Sequence, residues 1–196
     1  MGANKPDICL RELIGAESDA ELLAEIAEID RCIFPGNVWG EESFSDSMKY
    51  SFDCLTAAVI QSKTDQKEIC HRVLREDGLL PCETDQERSC RNKAQREKNK
   101  MTRVAGFGLL RCFDDAEVVR IAVRSEYRRE GIGSRLLEGL ISEAKRRKVS
   151  GIFLEVRSSN LAAVSMYRRA GFTEEGIRKN YYSSPAEDAL IMRYTC

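Results

Sequence analysis

The stretch from Arg120 to Leu137, RIAVRSEYRREGIGSRLL, constrains this chain more than any other. An apolar run from Val118 to Val123, rich in β-branched residues, suits a buried strand. A polar turn follows (Ser125 to Glu130), then Gly131 and Gly133, then a helical stripe of Ile132, Leu136, Leu137, Leu140, Ile141 and Ala144. Strand, glycine turn and helix, in that order, offer first-turn backbone N–H groups to an anion. Glycine lets a phosphate come close to those donors and tolerates positive φ. Arg128, Arg129 and Arg135 add positive charge around the same turn. The stretch reads as a phosphate cradle; the plain alternative is a helix that starts after a turn. A third glycine for a dinucleotide fingerprint is missing, and so is the Gly-Lys-Ser/Thr of a P-loop.

A chain of 196 residues is long enough for one well-buried α/β domain and awkward for two. A formal net charge of −1 supplies no global basic field, so no direct nucleic-acid partner is expected. No apolar run approaches the ~20 residues of a membrane helix. The opening MGANKPDIC lacks the apolar core of a secretory signal, and Pro6 stands where a myristoylation signal wants Ser or Thr. A cytoplasmic protein without a membrane partner is the expectation. The eight cysteines include no C-x-x-C pair, so reduced thiols are expected. Cys70, His71, Cys82 and Cys90 match no familiar zinc spacing, and no metal is expected. The sole histidine, His71, has no acid or nucleophile pattern beside it, which argues against Ser/His or Cys/His chemistry.

In chain order, Ile8 to Leu13 reads as a strand and Ala20 to Ile29 as an amphipathic helix. A turn-rich loop, Phe34 to Gly40, holds the only tryptophan, Trp39. It is either a plug under a surface loop or a wall of a substrate cleft. A helix over Glu41 to Tyr50 and a strand over Leu55 to Gln61 follow. Residues 62–102 are densely charged with both signs and poor in large apolar residues, and read as an insertion into a single domain spanning 1–196. Its middle could form a short helix around Ile69, Val73 and Leu74. A solvated loop or a contact arm for a partner are the two readings of its lysine- and arginine-rich end. Strands are expected at Val104 to Arg111 and Glu117 to Val123, joined by a turn at Asp114-Asp115. A helix from Ile132 to about Lys148 leads to a strand at Gly151 to Val156. Asn160 or Ser159 can cap a helix to Arg169, with Leu161, Val164 and Tyr167 inward and Ala163 at the edge of that face. Strands from Phe172 and over Ala189 to Tyr194 complete an α/β fold.

Arg128-x-x-Gly131-x-Gly133 resembles the acetyl-coenzyme A signature of the GNAT N-acetyltransferases. The resemblance continues through Asn160, Ala163, Tyr167, Gly171 and Phe172, and so covers Val118 to the C-terminus. LEVR at Leu154 to Arg157, RKNYY at Arg178 to Tyr182, and IDRCIFPGNVWGEESF upstream resemble the ribosomal-protein-alanine N-acetyltransferases of the RimI type. Residues 62–102 depart from that family, which has a short connection there. The resemblance implies one GNAT domain, a mixed central sheet with helices on both faces, and acetyl-CoA as cosubstrate.

It further implies that backbone groups of Ile121, Ala122 and Val123 pair with the pantetheine arm. The amides of Arg129, Glu130, Gly131, Ile132, Gly133 and Ser134, with Arg128, would hold the pyrophosphate. Glu155 is the candidate general base and Tyr167 the candidate acid, also touching the cofactor; a backbone N–H near Val123 is the candidate oxyanion partner. Asn160 could touch the pantetheine, cap its helix, or do both. Phe34, Trp39, Tyr181 and Tyr182 would flank the acceptor groove, unless they are packing. The acceptor implied is a protein N-terminus, that of a ribosomal protein beginning with alanine. An α-amine, with a pKa near 7.7–8.0, is about a tenth neutral at pH 7, whereas a lysine near 10.4 is less than about a thousandth neutral. A lysine or small-amine acceptor, and a silent acetyl-CoA-binding module, are the competing readings.

Overall fold

A computed structural model describes residues 7–13, 19–61 and 103–196. The expected insertion at 62–102, with its short helix and with Cys70, His71, Cys82 and Cys90, lies outside the described residues. Among those described, β1 (Asp7–Leu13), β2 (Asp53–Gln61), β3 (Arg103–Cys112), β4 (Ala116–Val123), β5 (Gly151–Arg157), β6 (Thr173–Ser183) and β7 (Ala186–Thr195) form one mixed sheet. The strand order is β1-β2-β3-β4-β5-β7-β6. Helices α1 (Ala20–Ile33) and α2 (Glu41–Ser47) cover one face, and α3 (Ile132–Arg146) and α4 (Leu161–Arg169) the other.

Each helix is placed by its apolar stripe. Leu22, Leu23, Ile26 and Ile29 of α1, with Phe44 of α2, pack on Leu55, Phe107 and Leu109. Leu137, Leu140 and Ile141 of α3 meet Ile152, Leu154 and Val156 on the opposite face. Lys145 and Arg146 close α3, where cations complement the C-terminal carbonyls. In α4, Val164 and Tyr167 turn inward as expected, but Leu161 is 74% exposed. Leu161 is the first residue of that helix and lies outside the face that α4 turns to the sheet. Helix α2 stops at Ser47 rather than Tyr50, because the chain turns there and Asp53 N–H bonds back to Tyr50.

The feature that makes a site is the junction of β4 and β5. These are the parallel neighbours, and they pair only at Ala116–Ile152 and Glu117–Phe153. Beyond that point they part. A register shift between Leu109 and Leu110 gives β4 one extra residue, Val119, against β3. A bulge bends its strand and turns its later side chains to the other face. Thus Val118 packs with α3, whereas Ala122 packs with α1. On β3, Gly106 admits the close approach of β4: a Cβ there would stand 2.5 Å from the Ala122 carbonyl oxygen.

Candidate active site

The gap left by β4 and β5 exposes backbone on one side of β4. Arg124 N–H donates to the Ala105 carbonyl at 2.9 Å. Antiparallel pairs alternate between bonded and non-bonded residues, so Ala122 bonds toward β3 while the amides and carbonyls of Ile121 and Val123 face the gap. Of the three residues expected to meet a pantetheine, Ile121 and Val123 therefore turn their backbone groups the right way, and Ala122 turns its own to β3. The Val123 carbonyl accepts a hydrogen bond from Arg128 Nε at 3.1 Å, which draws the guanidinium across the turn.

At the mouth of the gap, Arg129 (φ 68°) and Gly131 (φ 80°) both adopt left-handed backbone. They reverse the chain so that α3 starts at Ile132. Arg135 N–H is bonded to the Gly131 carbonyl at 3.1 Å. The amides of Ile132, Gly133 and Ser134 precede it in the first turn and have no carbonyl inside the helix to bond. A Cβ at Gly131 would meet nothing within 4 Å; one at Gly133 would press on Met166 Sδ at 3.1 Å and near Val123 Cγ2 at 3.8 Å. Bare backbone, first-turn donors and the positive end of a 15-residue helix suit a pyrophosphate. Glu130 sits half-buried in the same turn.

Alternation along β5 decides where the two candidate catalytic groups lie. Leu154 and Val156 point into the α3–α4 cluster, so Glu155 between them points to the α1–α2 side. Its carboxylate is paired with Arg178 of β6 at 3.0 Å. It also accepts from Tyr181, an interaction that pushes the Tyr181 phenol up to about 12. Tyr167 lies on the other face, 5% exposed, with its ring 5.8 Å from that of Phe172. Its hydroxyl finds no hydrogen-bond partner among the described residues. Burial pushes this phenol well above its ordinary value, which keeps the proton on it at neutral pH. The Tyr182 hydroxyl lies 3.5 Å from the Glu155 carbonyl. Asn160 caps α4, its Oδ1 accepting the Ala163 N–H at 3.2 Å.

Phe34 and Trp39 do lie on the loop between α1 and α2, on the Glu155 side. Both rings also hold a side chain that the sequence pattern did not flag. Arg120 is 6% exposed, and its guanidinium carbon stands 4.8 Å from the Phe34 ring centre and 4.9 Å from that of Trp39. Its partner is Asp30, fully buried at 2.7 Å. Burial pushes the Asp30 carboxyl up and the Arg120 guanidinium down, and their pairing opposes both shifts. Glu117 was likewise missed. It is in register with Arg111 of β3 and Phe153 of β5, and burial, with the Glu155 charge adding to it, pushes its carboxyl up against the pull of Arg111. A signal existed for both arginine and aspartate: each interrupts an apolar stripe, and a charge placed there needs a partner.

Away from the gap, Glu12, Cys54 and Glu143 offer ligand atoms within 4.8 Å of one another. Arg146 and Arg147 already neutralise Glu143, and burial pushes the Cys54 thiol up to about 12, so this group reads as packing. Cys32, Cys54, Cys112 and Cys196 are free thiols. Among the described residues no helix is long and apolar enough to cross a membrane.

A parted parallel strand pair with a glycine-opened helix start at its mouth is a cleft with free backbone on one wall and anion-binding amides at its entrance. Residues 61–172 match the acetyltransferase (GNAT) family, and the chain belongs to that family. It is 44% identical over 93 residues to the ribosomal protein bS18-alanine N-acetyltransferase of Escherichia coli strain K12, an alignment covering 46% of this chain and 63% of the relative. The chain thus spans less than two thirds of that relative's length. The crystal structure of the Escherichia coli ribosomal-protein-S18-alanine N-acetyltransferase superposes with a TM-score of 0.63 at 25% identity, covering 96% of this chain and 94% of that one. The Arabidopsis thaliana NAA60 structure in complex with acetyl-CoA shares the fold, with a TM-score of 0.66 at 19% identity over 96% and 98% of the two chains.

Proposed function

We propose that this chain transfers the acetyl group of acetyl-CoA to the N-terminal α-amine of a protein, a ribosomal protein whose first residue is alanine. One observation supports the chemistry: Glu155 of β5 turns to the α1–α2 side of the sheet, while Tyr167 packs with the core on the opposite face. The acceptor amine then arrives from the α1–α2 side and acetyl-CoA from the α3–α4 side. The similarity to the Escherichia coli enzyme, which includes its structure, supports the acceptor. Acetyl-CoA supplies an activated acetyl thioester, whose pyrophosphate suits the amides from Arg129 to Ser134 and whose arm suits the backbone of Ile121 and Val123.

Glu155 takes the proton that the amine loses as its nitrogen bonds to the acetyl carbon, directly or through one water. A backbone N–H at Val123 faces the charge that develops on the carbonyl oxygen. Tyr167 gives its proton to the sulfur as the carbon–sulfur bond breaks. Atoms balance: amine and acetyl-CoA become an acetylated N-terminus and free coenzyme A. An α-amine needs less help to reach its neutral form than lysine does, which suits a single carboxylate. A cytoplasmic location accords with this substrate.

The test offers acetyl-CoA and two peptides to the full chain and follows acetylation by mass spectrometry. One peptide begins with a free alanine amine; the other has a blocked N-terminus and an internal lysine. Transfer to the alanine amine alone is expected. Transfer to lysine alone overturns the acceptor, and transfer to neither overturns the activity for these acceptors.

A further inference from the structure

The two strands that part to form the gap each send one arginine to one lip of its acceptor side. From β4, Arg120 Nη1 donates to Asp30 Oδ1 at 2.7 Å and Nη2 donates to the Asn37 carbonyl at 2.6 Å. Asp30 Oδ2 in turn accepts the Trp39 N–H at 2.7 Å. The loop from Phe34 to Trp39 is thus tied at its middle and its far end, with both its aromatic rings against the same guanidinium. The Val119 bulge makes this possible, since without it Arg120 would face α3.

From β5, Arg157 binds the β6–β7 turn. Nη2 donates to the Ser184 carbonyl at 3.0 Å, and Nη1 to the Pro185 carbonyl at 3.1 Å and to Glu187 at 3.0 Å. Its guanidinium carbon lies 4.1 Å from the Tyr182 ring centre. The two tied segments meet: a Cβ on Gly36 would stand 3.9 Å from the Ser184 carbonyl oxygen. Glu155 also points to this side of the sheet.

We propose that Arg120 and Arg157 are positioning residues for the acceptor, holding the two lips at a fixed spacing that admits an N-terminal segment with a small first side chain. This rests on the function proposed above. A buried ion pair stabilises little compared with an apolar replacement, yet it fixes orientation through its hydrogen bonds. Planar, forked donors that bind two carbonyls at once are what arginine offers and lysine does not. Neither arginine hydrogen-bonds to the first-turn amides of α3 or to Tyr167, so acetyl-CoA binding is expected to be separate from them.

The experiment compares steady-state kinetics on peptides beginning with alanine and with leucine, and measures acetyl-CoA affinity by calorimetry. Arg120→Met combined with Asp30→Leu removes both buried charges together, which spares the fold an unpaired one. Arg157→Gln loosens the other lip from a half-exposed position. Each is expected to raise KM for the alanine peptide by about tenfold and to narrow the alanine-to-leucine preference, with kcat and acetyl-CoA affinity within about twofold. Arg157→Lys is expected to restore little, because an ammonium lacks the planar fork that spans the two carbonyls while stacking on the Tyr182 ring. A folded variant of either lip with the parent's KM and the parent's alanine preference overturns the proposal. Should the double variant fail to fold, Arg157→Gln decides alone. A parent chain inactive on both peptides instead overturns the proposed function, before any variant is made.

Discussion

The Glu155 carboxylate lies 3.0 Å from the Arg178 guanidinium, a contact between the end of β5 and the start of the β6 irregularity. The pair holds the carboxylate on the α1–α2 side of the sheet, away from the face on which Tyr167 is buried. Glu155→Gln keeps the shape and removes the basic oxygen. It is expected to lower kcat by about 10²–10⁴-fold, the usual worth of a positioned general base. Acetyl-CoA affinity is expected to stay as in the parent, since the cosubstrate side is untouched. Steady-state kinetics and calorimetry check the two halves separately, and a parent-like kcat removes Glu155 from the mechanism.

Tyr167→Phe removes a hydroxyl that has no partner among the described residues, so the cost in stability is expected to be under about 1 kcal/mol. Turnover is expected to fall far more, by about 10²-fold, because the departing thiolate loses its proton donor. The pH profile carries the sign. Burial raises this phenol above its ordinary pKa, so the acid form persists through mildly alkaline pH. Loss of activity between pH 8 and about 10 therefore has to come from another group. An alkaline limb in the parent that vanishes in Tyr167→Phe contradicts the raised pKa, whereas parent-like turnover in Tyr167→Phe contradicts the acid assignment.

Much of this was legible in the chain itself. The periodicity of β4, the glycine pair and the α3 stripe dictate strand, turn and helix locally, and each recurs in the structure near its expected bounds. The face of Glu155 also follows from alternation, given that Leu154 and Val156 are core. What stayed hidden depends on partners far apart in sequence. Arg120 interrupts the apolar run of β4 and so calls for a partner, but only folding shows that the partner is Asp30, 90 positions earlier. The parting of β4 from β5 is a property of pairing, and no local pattern announces where two parallel strands stop bonding. The Val119 bulge is equally silent, because it flips a face without changing the apolar composition of the strand.

The glycine turn separates strain from occlusion. Gly131 at φ 80° has open space around its Cβ position, so Gly131→Ala is expected to cost about 1–2 kcal/mol through backbone strain. Chemical denaturation measures it. Gly133 is the contrary case: its backbone is not left-handed, but a Cβ there would press on Met166 Sδ at 3.1 Å. Gly133→Glu places a bulky carboxylate against Met166 and the first-turn amides, and is expected to abolish coenzyme A binding in calorimetry. Normal affinity in that variant contradicts the cradle.

Glu187 gives the fold an acid limit. Its carboxylate accepts the Ser159 N–H at 2.6 Å, the Ser158 hydroxyl at 3.1 Å and Arg157 at 3.0 Å, so it ties β7 to the turn between β5 and α4. These donors, the Ser159 amide foremost, hold its pKa down to about 2 from an ordinary value of 4.5. A folded-state pKa below the unfolded one adds stability that is complete above the unfolded value. That stability is lost as pH falls through the window between them. Stability is thus expected to decline from about pH 4.5 towards about pH 2 partly through this one group. Glu187→Gln keeps an acceptor oxygen but cannot titrate, and is expected to start less stable at neutral pH and to decline less across the same window. Urea titrations of both proteins at several pH values between 2 and 7 measure the difference, and parallel curves throughout would show that Glu187 contributes nothing to acid sensitivity.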